Sequence, residues 1–405
     1  MKALLKLSIP TSAMFLGLML MGLVDMLFVG KLGAAALGGL GLGNSIFSWV
    51  MTVGIGMILG LDFPIAKAIG EGNRRLAFRY FSQGLHLSAL ISIPAMGIIA
   101  MIAIFLDRFG LNPEVVPFAR TYLFMTAISF FPIFLFNSAK SYLQAQNVAV
   151  PTFVILVLAN VLNFVLNAGF VEGRYGFPNY GYEGLAIATV LGRFAMAIAL
   201  LAYLIVREVR LGGVLSFRFE RPLFREVTAL GTPASAQMAA EVGVFSLSTA
   251  LAAKFSAIDL AAHQVVLNTA SVLFMIPLGI GSACGSLVGQ AVGAGDAARA
   301  QRTGYSALAL GLGFALVSST LMIVFADAAM GFYTRDGAVV EAAKKLLFVA
   351  ALFQISDGAQ AIATGALRGL GDTLSAAIAN GVGHWLVGLP LGLVLGFGLR
   401  EAVPA

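Results

Sequence analysis

Charged residues are scarce in this sequence. Lys, Arg, Asp and Glu make up 11% of its 405 residues and hydrophobic residues make up 59%, whereas about a quarter of a soluble domain is charged. The chain is therefore too apolar for a soluble protein, and most of it must lie in lipid. The formal net charge of +6 is then explained by basic residues that orient the chain in the membrane and contact anionic lipids, rather than by a nucleic-acid partner.

Residues that support catalysis or cofactor binding are also rare. The single cysteine, Cys284, excludes a disulfide framework, and the three histidines lie on separate predicted helices without the spacing of a zinc site. The nucleotide-binding pattern GxxxxGK[ST] is absent. We therefore expect a protein that is not an enzyme and has no cofactor. Its energy would come from an ion gradient, with Na⁺ or H⁺ as the coupling ion, or from a partner.

The chain repeats itself at an offset of about 223 residues. Pro10 then aligns with Pro233, Lys31 with Lys254, and the pair Gly70 and Gly72 with the pair at 293 and 295. A duplicated apolar sequence is typical of a pseudo-symmetric transporter whose site lies between two halves.

Eleven apolar stretches are long enough to cross a bilayer as helices, which takes about 17 to 25 residues. They cover residues 8–30, 36–66, 78–106, 118–145, 149–171, 183–206, 228–253, 262–291, 301–326, 341–367 and 374–398. The predicted fold is an all-α polytopic membrane protein with two homologous six-helix bundles in parallel repeat. The repeat of residues 184–206 would fall at 407–429, beyond Ala405, so we expect the twelfth helix to be missing from this chain. The expected domains are an N-terminal bundle, a cytoplasmic linker and a C-terminal bundle at residues 1–206, 207–227 and 228–405.

The distribution of basic residues predicts the orientation. With the N-terminus in the cytoplasm, fifteen of the 25 Lys and Arg residues lie on the cytoplasmic side, nine lie outside and Arg193 is intramembrane. Because short cytoplasmic loops are enriched in basic residues, we predict a multi-pass protein of the cytoplasmic (inner) membrane with its N-terminus inside.

Of the acidic residues within the apolar stretches, three are candidates for function: Asp25, Glu241 and Asp357. An ionised side chain at the bilayer centre costs about 2.5 to 3.5 kcal/mol. Packing requirements shared by two similar halves would be met by residues that recur in the repeat, but these acids do not recur. Their repeat positions are Ser248, Leu18 and roughly Ile133. This asymmetry favours a functional role over a structural one.

Amides accompany these acids. Gln354, Gln360 and Thr364 form a polar stripe around Asp357, and Gln237 lies one turn before Glu241. A second stripe on the fifth stretch consists of Asn160, Asn163 and Asn167. Carboxylate and amide oxygens are hard ligands suited to Na⁺, and the carboxylates could carry protons instead. The structural alternative is hydrogen bonding from helix to helix.

Other polar residues have structural interpretations. Asp25 could pair with Lys31, and Asp62 is expected to form a surface ion pair with Lys67. For Arg193 we expect a structural partner on a neighbouring helix. The histidines at 263 and 384 titrate in the range for proton coupling, although each is more often a satisfied polar residue near a helix end.

The apolar residues suggest the ligand. A cavity lined by some of the 15 methionines and 31 phenylalanines would have adaptable walls, and buried negative charge would favour large lipophilic cations. Pro64, Pro94, Pro132, Pro277 and Pro390 lie within the stretches and are predicted hinges.

Five segments in order resemble the multidrug and toxic compound extrusion (MATE) family, and specifically its NorM-like branch. They are VDMLFVGKLG in the first stretch, LNFVLN in the fifth, AAHQVVLN in the eighth, GALRGLGDT after the tenth and HWLVGLPLG in the eleventh. The resemblance implies a twelve-helix inner-membrane antiporter that exports cationic lipophilic compounds against Na⁺ or H⁺ entry. By motif, the family's acids fall on Asp25, Glu241 and Asp357 and its paired asparagines on Asn163 and Asn167, while His384 replaces a tyrosine common in the family.

The resulting hypothesis assigns cation coupling to Glu241, Asp357 and Asp25, with Na⁺ possible at the first two. Substrate or cation binding is assigned to Asn163, Asn167, Gln237, Gln354, Gln360 and His384. Two alternatives stay open. A flippase for lipid-linked precursors would need a strongly cationic cavity, and an ion-translocating subunit of a larger complex would need a continuous relay of acids and lysines. We expect a monomer without an obligate protein partner.

Overall fold

The computed structural model describes residues 1–213, 215–252, 254–333 and 336–394, and these residues are almost entirely helical. The first half comprises α1 Lys2–Val29, α2 Ala34–Ile58, α3 Asp62–Gly70, α4 Arg74–Phe105, α5 Val116–Ala127, α6 Phe130–Ala145, α7 Val150–Glu172 and α8 Tyr182–Arg210. The second half comprises α9 Arg221–Ala252, α10 Ala257–Gly293, α11 Ala297–Val324, α12 Ala326–Tyr333, α13 Gly337–Gly369, α14 Thr373–Gly381 and α15 Leu389–Leu393. A π-helical segment, Val382–Gly388, joins the last two helices.

Each of the eleven predicted stretches coincides with helix. By length and apolarity, eight helices of the described chain could cross a membrane, or nine when the bent pair of α5 and α6 counts as one span. The two further predicted spans are α9 and α13, which carry the acids at 241 and 357. Residues 395–398 of the eleventh stretch, and the end of the predicted C-terminal domain, lie outside the described residues.

Proline explains where several spans are irregular. Helices α5 and α6 meet at an angle of 51°, and the ring of Pro132 would clash with the carbonyl of Ile128, four residues earlier, in a continuous helix. Pro64 follows the 3₁₀ turn Leu59–Leu61, and Pro390 follows the π-helical segment. The predicted hinge prolines at these three places thus coincide with breaks in regular α-helix. At Pro94 and Pro277 the helices continue.

The two halves pack together at one end of the molecule. We call this the closed end; it carries the start of α1 and the connections that follow α3, α6, α8, α10 and α13. There Leu4 and Leu7 of α1 share a hydrophobic cluster with Ile280 and Leu287 of α10. At the opposite end, which we call the open end, each half has a separate hydrophobic cluster. One contains Leu106, Val116 and Ala119, and the other contains Val266, Met322, Val339 and Leu347.

The contacts at the closed end obey the sequence repeat. Ser12 Oγ donates to the carbonyl of Ile276 at 3.1 Å, and Ser235 Oγ donates to the carbonyl of Val53 at 2.7 Å. Both serines and both acceptors are related by the offset of 223 residues. The closed end is therefore a pseudo-two-fold interface in which each half supplies the same donor and the same acceptor.

Glycines allow the helices to approach closely at this interface. A Cβ at Gly56 would lie 2.4 Å from Ser235 Cα, and a Cβ at Gly279 would lie 2.6 Å from Ser12 Cα. Gly70 and Gly293 repeat the arrangement, since a Cβ on either would lie 2.0 Å from a carbonyl oxygen of the other half. We call these four glycines and the two serines the seal. No side chain fits at its glycine positions without separating the halves.

The segment between the halves is attached to α4. Gln83 Nε2 donates to the carbonyl of Arg218 at 3.0 Å, and Glu220 N donates to Gln83 Oε1 at 3.0 Å. Arg79 Nε donates to Glu220 Oε1 at 2.7 Å. Glu220 lies outside the spans, and the guanidinium of Arg79 lowers the pKa of its carboxyl group below the usual value.

Candidate functional site

The first half buries its acid among polar side chains. Asp25 accepts hydrogen bonds from Asn167 Nδ2 at 2.8 Å and from Thr189 Oγ1 at 3.1 Å, and Asn167 Nδ2 also lies 3.2 Å from Asn163 Oδ1. All four residues are buried. The structure therefore brings together the predicted acid and both predicted asparagines. The structural alternative in which Asp25 pairs with Lys31 is wrong, because Lys31 Nζ contacts Glu172 Oε1 at 2.6 Å instead.

Part of this cluster lacks a partner within the protein. Asn163 Nδ2 and Asn167 Oδ1 are buried without a hydrogen-bond partner in the described chain. Leaving such a group unsatisfied costs about 1 to 3 kcal/mol. The free Asn167 Oδ1 beside a buried carboxyl group can bind a cation, and the free N–H groups of Asn163 can donate to a polar part of a ligand.

Asn160, on the same helix, serves a structural purpose. Its Nδ2 donates to the carbonyl of Gly17 at 3.0 Å and lies 3.2 Å from that of Leu156. Asn160 thus joins α7 to α1 away from the acid, whereas Asn167 joins the same two helices through Asp25. Asn160 Oδ1 is also buried without a hydrogen-bond partner in the described chain.

Arg193 has a structural partner, as predicted. Its Nη1 donates to Ser129 Oγ at 2.7 Å, and its guanidinium lies 4.5 Å from the centroid of the Phe47 ring. Ser129 stands at the break between α5 and α6, so the arginine holds this bend. The guanidinium also interacts electrostatically with Asp25, which offsets part of the negative charge in the first half.

The second half contains a separate acidic cluster. Asn380 Nδ2 donates to Glu241 Oε2 at 3.1 Å, and the carboxyl group of Asp357 is close enough to interact electrostatically with that of Glu241. Asp357 Oδ1 and Asn380 Oδ1 are buried without a hydrogen-bond partner in the described chain. The cluster therefore offers oxygen atoms from three helices, α9, α13 and α14.

Asn380 is the site residue that sequence reasoning missed. It lies one turn before His384, whose Nδ1 is 3.2 Å from its carbonyl oxygen. A scan for helix-spaced polar pairs would therefore have singled out Asn380, but not its contact with Glu241. His384 lies near Glu241 and interacts with it electrostatically. Trp385 Nε1 donates to the carbonyl of Ala240 at 3.0 Å and fixes this turn against α9.

The remaining predicted amides contribute unequally. Gln354 is buried with its Nε2 unpartnered in the described chain, on the same helix as Asp357. Gln237 is buried and Gln360 half-buried, and the described hydrogen bonds link neither of them to the two acids. His263 is a hydrogen-bonded polar residue near a helix end, because its Nε2 lies 3.2 Å from Thr249 Oγ1.

A third charged cluster lies between the halves near the closed end. Asp62 accepts a hydrogen bond from Ser141 Oγ at 2.7 Å and lies 4.0 Å from Arg368 Nη1 of α13. The buried Lys140 interacts electrostatically with Asp62. The expected surface pair of Asp62 with Lys67 is wrong, since Lys67 lies 3.9 Å from Glu71. Asp62 instead connects the two halves through Arg368.

With this geometry in place, the family can be assigned. Residues 10–168 and 233–394 match the MatE family model. The chain belongs to the MatE family. The two matched stretches begin at Pro10 and Pro233, the prolines that align in the repeat, so the prediction of two homologous halves is confirmed.

Relatives of this MatE chain are similar over nearly its whole length. The multidrug resistance protein NorM of Photobacterium profundum is 29% identical over 398 residues, which cover 98% of this chain and 87% of that protein. The probable multidrug resistance protein NorM of Bradyrhizobium diazoefficiens is 34% identical over 403 residues, covering 97% of this chain and 86% of that protein. The predicted NorM-like branch is confirmed.

Solved structures show the same fold. The eukaryotic MATE transporter AtDTX14 superimposes with a TM-score of 0.89 at 20% identity, over 98% of this chain and 89% of that one. A MATE family transporter of the MOP superfamily in an outward-facing conformation gives a TM-score of 0.88 at 19% identity, over 97% and 88%. The all-helical multi-pass membrane fold predicted for the MatE chain is confirmed.

Proposed function

We propose that this MatE-family chain exports cationic lipophilic compounds from the cell in exchange for entering Na⁺ or H⁺. The observation that carries the proposal is the presence of one buried acidic cluster in each half. Among the hydrophobic clusters described above, the halves share one at the closed end and have separate ones at the open end. The relatives named as multidrug resistance proteins support it. Buried carboxylates attract the positive charge of such a compound, and its apolar body packs against apolar side chains of the protein as lipid would.

The two clusters suggest a division of roles. The oxygens of Glu241, Asp357 and Asn380 are hard donors of the kind that Na⁺ prefers. Within the described residues no three His, Cys, Asp or Glu side chains cluster as for a metal ion. Binding of Na⁺ would therefore also need amide or carbonyl oxygens, whereas H⁺ would need only the carboxylates. Asp25 with Asn163 and Asn167 then forms the second cation-binding surface.

Transport follows from competition between ion and substrate. When the open end faces the outside, Na⁺ or H⁺ neutralises the acids and the cationic substrate leaves. The seal then separates, the halves reopen at the other side, and the ion leaves to the cytoplasm. Each ligand drives this change only through different affinities for the two conformations.

The proposed orientation places the closed end in the cytoplasm, together with the N-terminus, in the inner membrane. The basic residues support this assignment, because the fifteen predicted cytoplasmic Lys and Arg residues lie on helix ends and connections of the closed end. We further propose that the chain acts as a monomer, since both clusters and both sides of the seal belong to one chain.

The test is efflux of a fluorescent lipophilic cation from cells with Na⁺ and pH gradients imposed separately. We expect Glu241→Gln and Asp357→Asn each to abolish export, and Asp25→Asn to reduce it. Glu341→Gln is the matched control, because Glu341 is an exposed acid of α13 that pairs with Lys344. Full activity in Glu241→Gln and Asp357→Asn, at normal membrane levels, would refute the assignment. The gradient that drives export identifies the ion.

A further inference from the structure

A crevice opens at the closed end between the two halves. It has a volume of about 200 Å³ and is lined by Leu4 at the start of α1, Leu287 of α10, and Arg299, Arg302, Thr303 and Ser306 of α11. One wall therefore belongs to the first half and the other to the second. The crevice lies beyond the acidic clusters and is not used in the proposed transport cycle.

The polar wall carries two cations without an acidic partner. Arg299 and Arg302 are both exposed and three residues apart, on one face of α11. In the described chain no ion pair engages either guanidinium. The nearest acid in sequence, Asp296, accepts a hydrogen bond from the backbone N–H of Arg299 and caps the helix. Two free guanidinium groups beside the hydroxyl of Ser306 form a donor set for a phosphate. The hydroxyl of Thr303 donates instead to the carbonyl of Arg299 at 2.8 Å.

The other lining residues are apolar. Leu4 and Leu287 are almost fully buried at the base of the crevice. Farther along α11, away from the closed end, Tyr305, Leu312 and Leu316 expose apolar surface, and such a surface in a membrane helix meets acyl chains. The phosphate donors thus stand at the point where α11 begins, with a lipid-facing surface next to them. An inorganic phosphate would use only the donors, whereas a phospholipid would use both.

We propose that this crevice binds the headgroup of an anionic phospholipid, with its phosphate between Arg299 and Arg302 and its acyl chains along α11. Basic pockets between membrane helices on the cytoplasmic side suit such headgroups. Because Leu4 of α1 forms the opposite wall, a headgroup that fills the crevice also contacts the first half and holds the closed end together. Binding is independent of the proposed export function, so its test uses no transport measurement.

The test measures lipid binding to the purified full chain by native mass spectrometry. The probes are dioleoyl phosphatidylglycerol, dioleoyl phosphatidylcholine and inorganic phosphate. We expect a clear preference for phosphatidylglycerol, which the double variant Arg299→Gln/Arg302→Gln weakens by at least about tenfold. The matched control is Arg75→Gln/Arg225→Gln, which removes two exposed arginines at the same end outside the crevice. This control should keep the preference.

Three results of the binding measurement would overturn the proposal. They are an unchanged preference in the crevice variant, an equal loss in the control variant, and displacement of the lipid by inorganic phosphate at similar concentration. The last result would assign the crevice to a soluble anion. A second readout uses the unmodified chain and therefore does not depend on whether the variant folds. Phosphatidylglycerol should slow alkylation of Cys284, the single cysteine, which is buried in the hydrophobic cluster shared by both halves. Equal slowing by phosphatidylcholine contradicts the proposal.

Discussion

Ser12 and Ser235 make the same hydrogen bond in opposite directions across the molecule. Each donates from its Oγ to a carbonyl of the other half, Ser12 to Ile276 and Ser235 to Val53. Each also packs against a glycine of that half, Gly279 or Gly56. The closed end is thus stabilised by two equivalent sets of contacts.

Gly56→Ala and Gly279→Ala should open the closed end. The added Cβ has no space beside the serine backbone, so the helices must separate and the hydrophobic cluster around Cys284 becomes accessible. We expect faster alkylation of Cys284 and reduced efflux in both variants. Gly41→Ala in α2 is the control, because a Cβ there meets nothing within 4 Å. Slow alkylation in both seal variants would show that the seal does not limit opening.

Asn380→Ala should weaken the second-half cluster. The substitution removes the amide that donates to Glu241 at 3.1 Å and one free oxygen. If Na⁺ is the coupling ion, loss of this oxygen ligand should raise the Na⁺ concentration needed for half-maximal efflux by about tenfold. If H⁺ is the coupling ion, the H⁺ concentration needed should fall, because the lost hydrogen bond favours the ionised carboxylate. Gln301→Ala, at an exposed amide of α11, should leave this value unchanged. An unchanged value in Asn380→Ala would remove Asn380 from the site.

Asn167→Ala and Asn160→Ala should differ in their effect on transport although the two residues lie only two turns apart on α7. Asn167 donates to the buried Asp25, so its loss should reduce efflux and also lower thermal stability. Asn160 joins α7 to α1 through the carbonyl of Gly17, so its loss should cost about 1 kcal/mol of stability and retain transport. Efflux assays and thermal unfolding of both purified variants distinguish these outcomes. Equal effects on both quantities would contradict the division.

Acidification should release the segment between the halves from α4. Arg79 lowers the pKa of Glu220 below its ordinary value of 4.5. A carboxyl group with a lowered pKa stabilises the folded state fully above its unfolded pKa, and this contribution is lost as the pH falls through the folded value. Hydrogen exchange at residues 218–220 should therefore accelerate as the pH falls below about 4.5, after correction for intrinsic rates. In Glu220→Gln this pH dependence should be absent; if it persists, another group controls the segment.

The sequence was sufficient for features that depend on local pattern. Apolar length predicted the helices, the repeat predicted the halves, and the cost of burying charge pointed to Asp25, Glu241 and Asp357. Helical spacing also placed Asn163 and Asn167 on one face, and the structure brings both to Asp25.

Features that depend on contacts between distant helices were not predicted. Asn380 is 139 residues from Glu241, and no local pattern connects them. Asp62 was paired with its sequence neighbour Lys67, whereas packing of α3 against α13 brings it to Arg368. The break at Ser129 depends on Arg193 of α8 as well as on the nearby Pro132. In each case the partner is chosen by tertiary packing.

The repeat symmetry of the seal means that one kind of half is enough to build it. The first half alone contains both complementary surfaces, with Ser12 and Lys67 on one side and Val53, Gly56 and Gly70 on the other. Two identical copies of such a half would match each other as the halves do here. The acidic clusters take no part in this closure, so they are free to differ between the halves, as Asp25, Glu241 and Asp357 do.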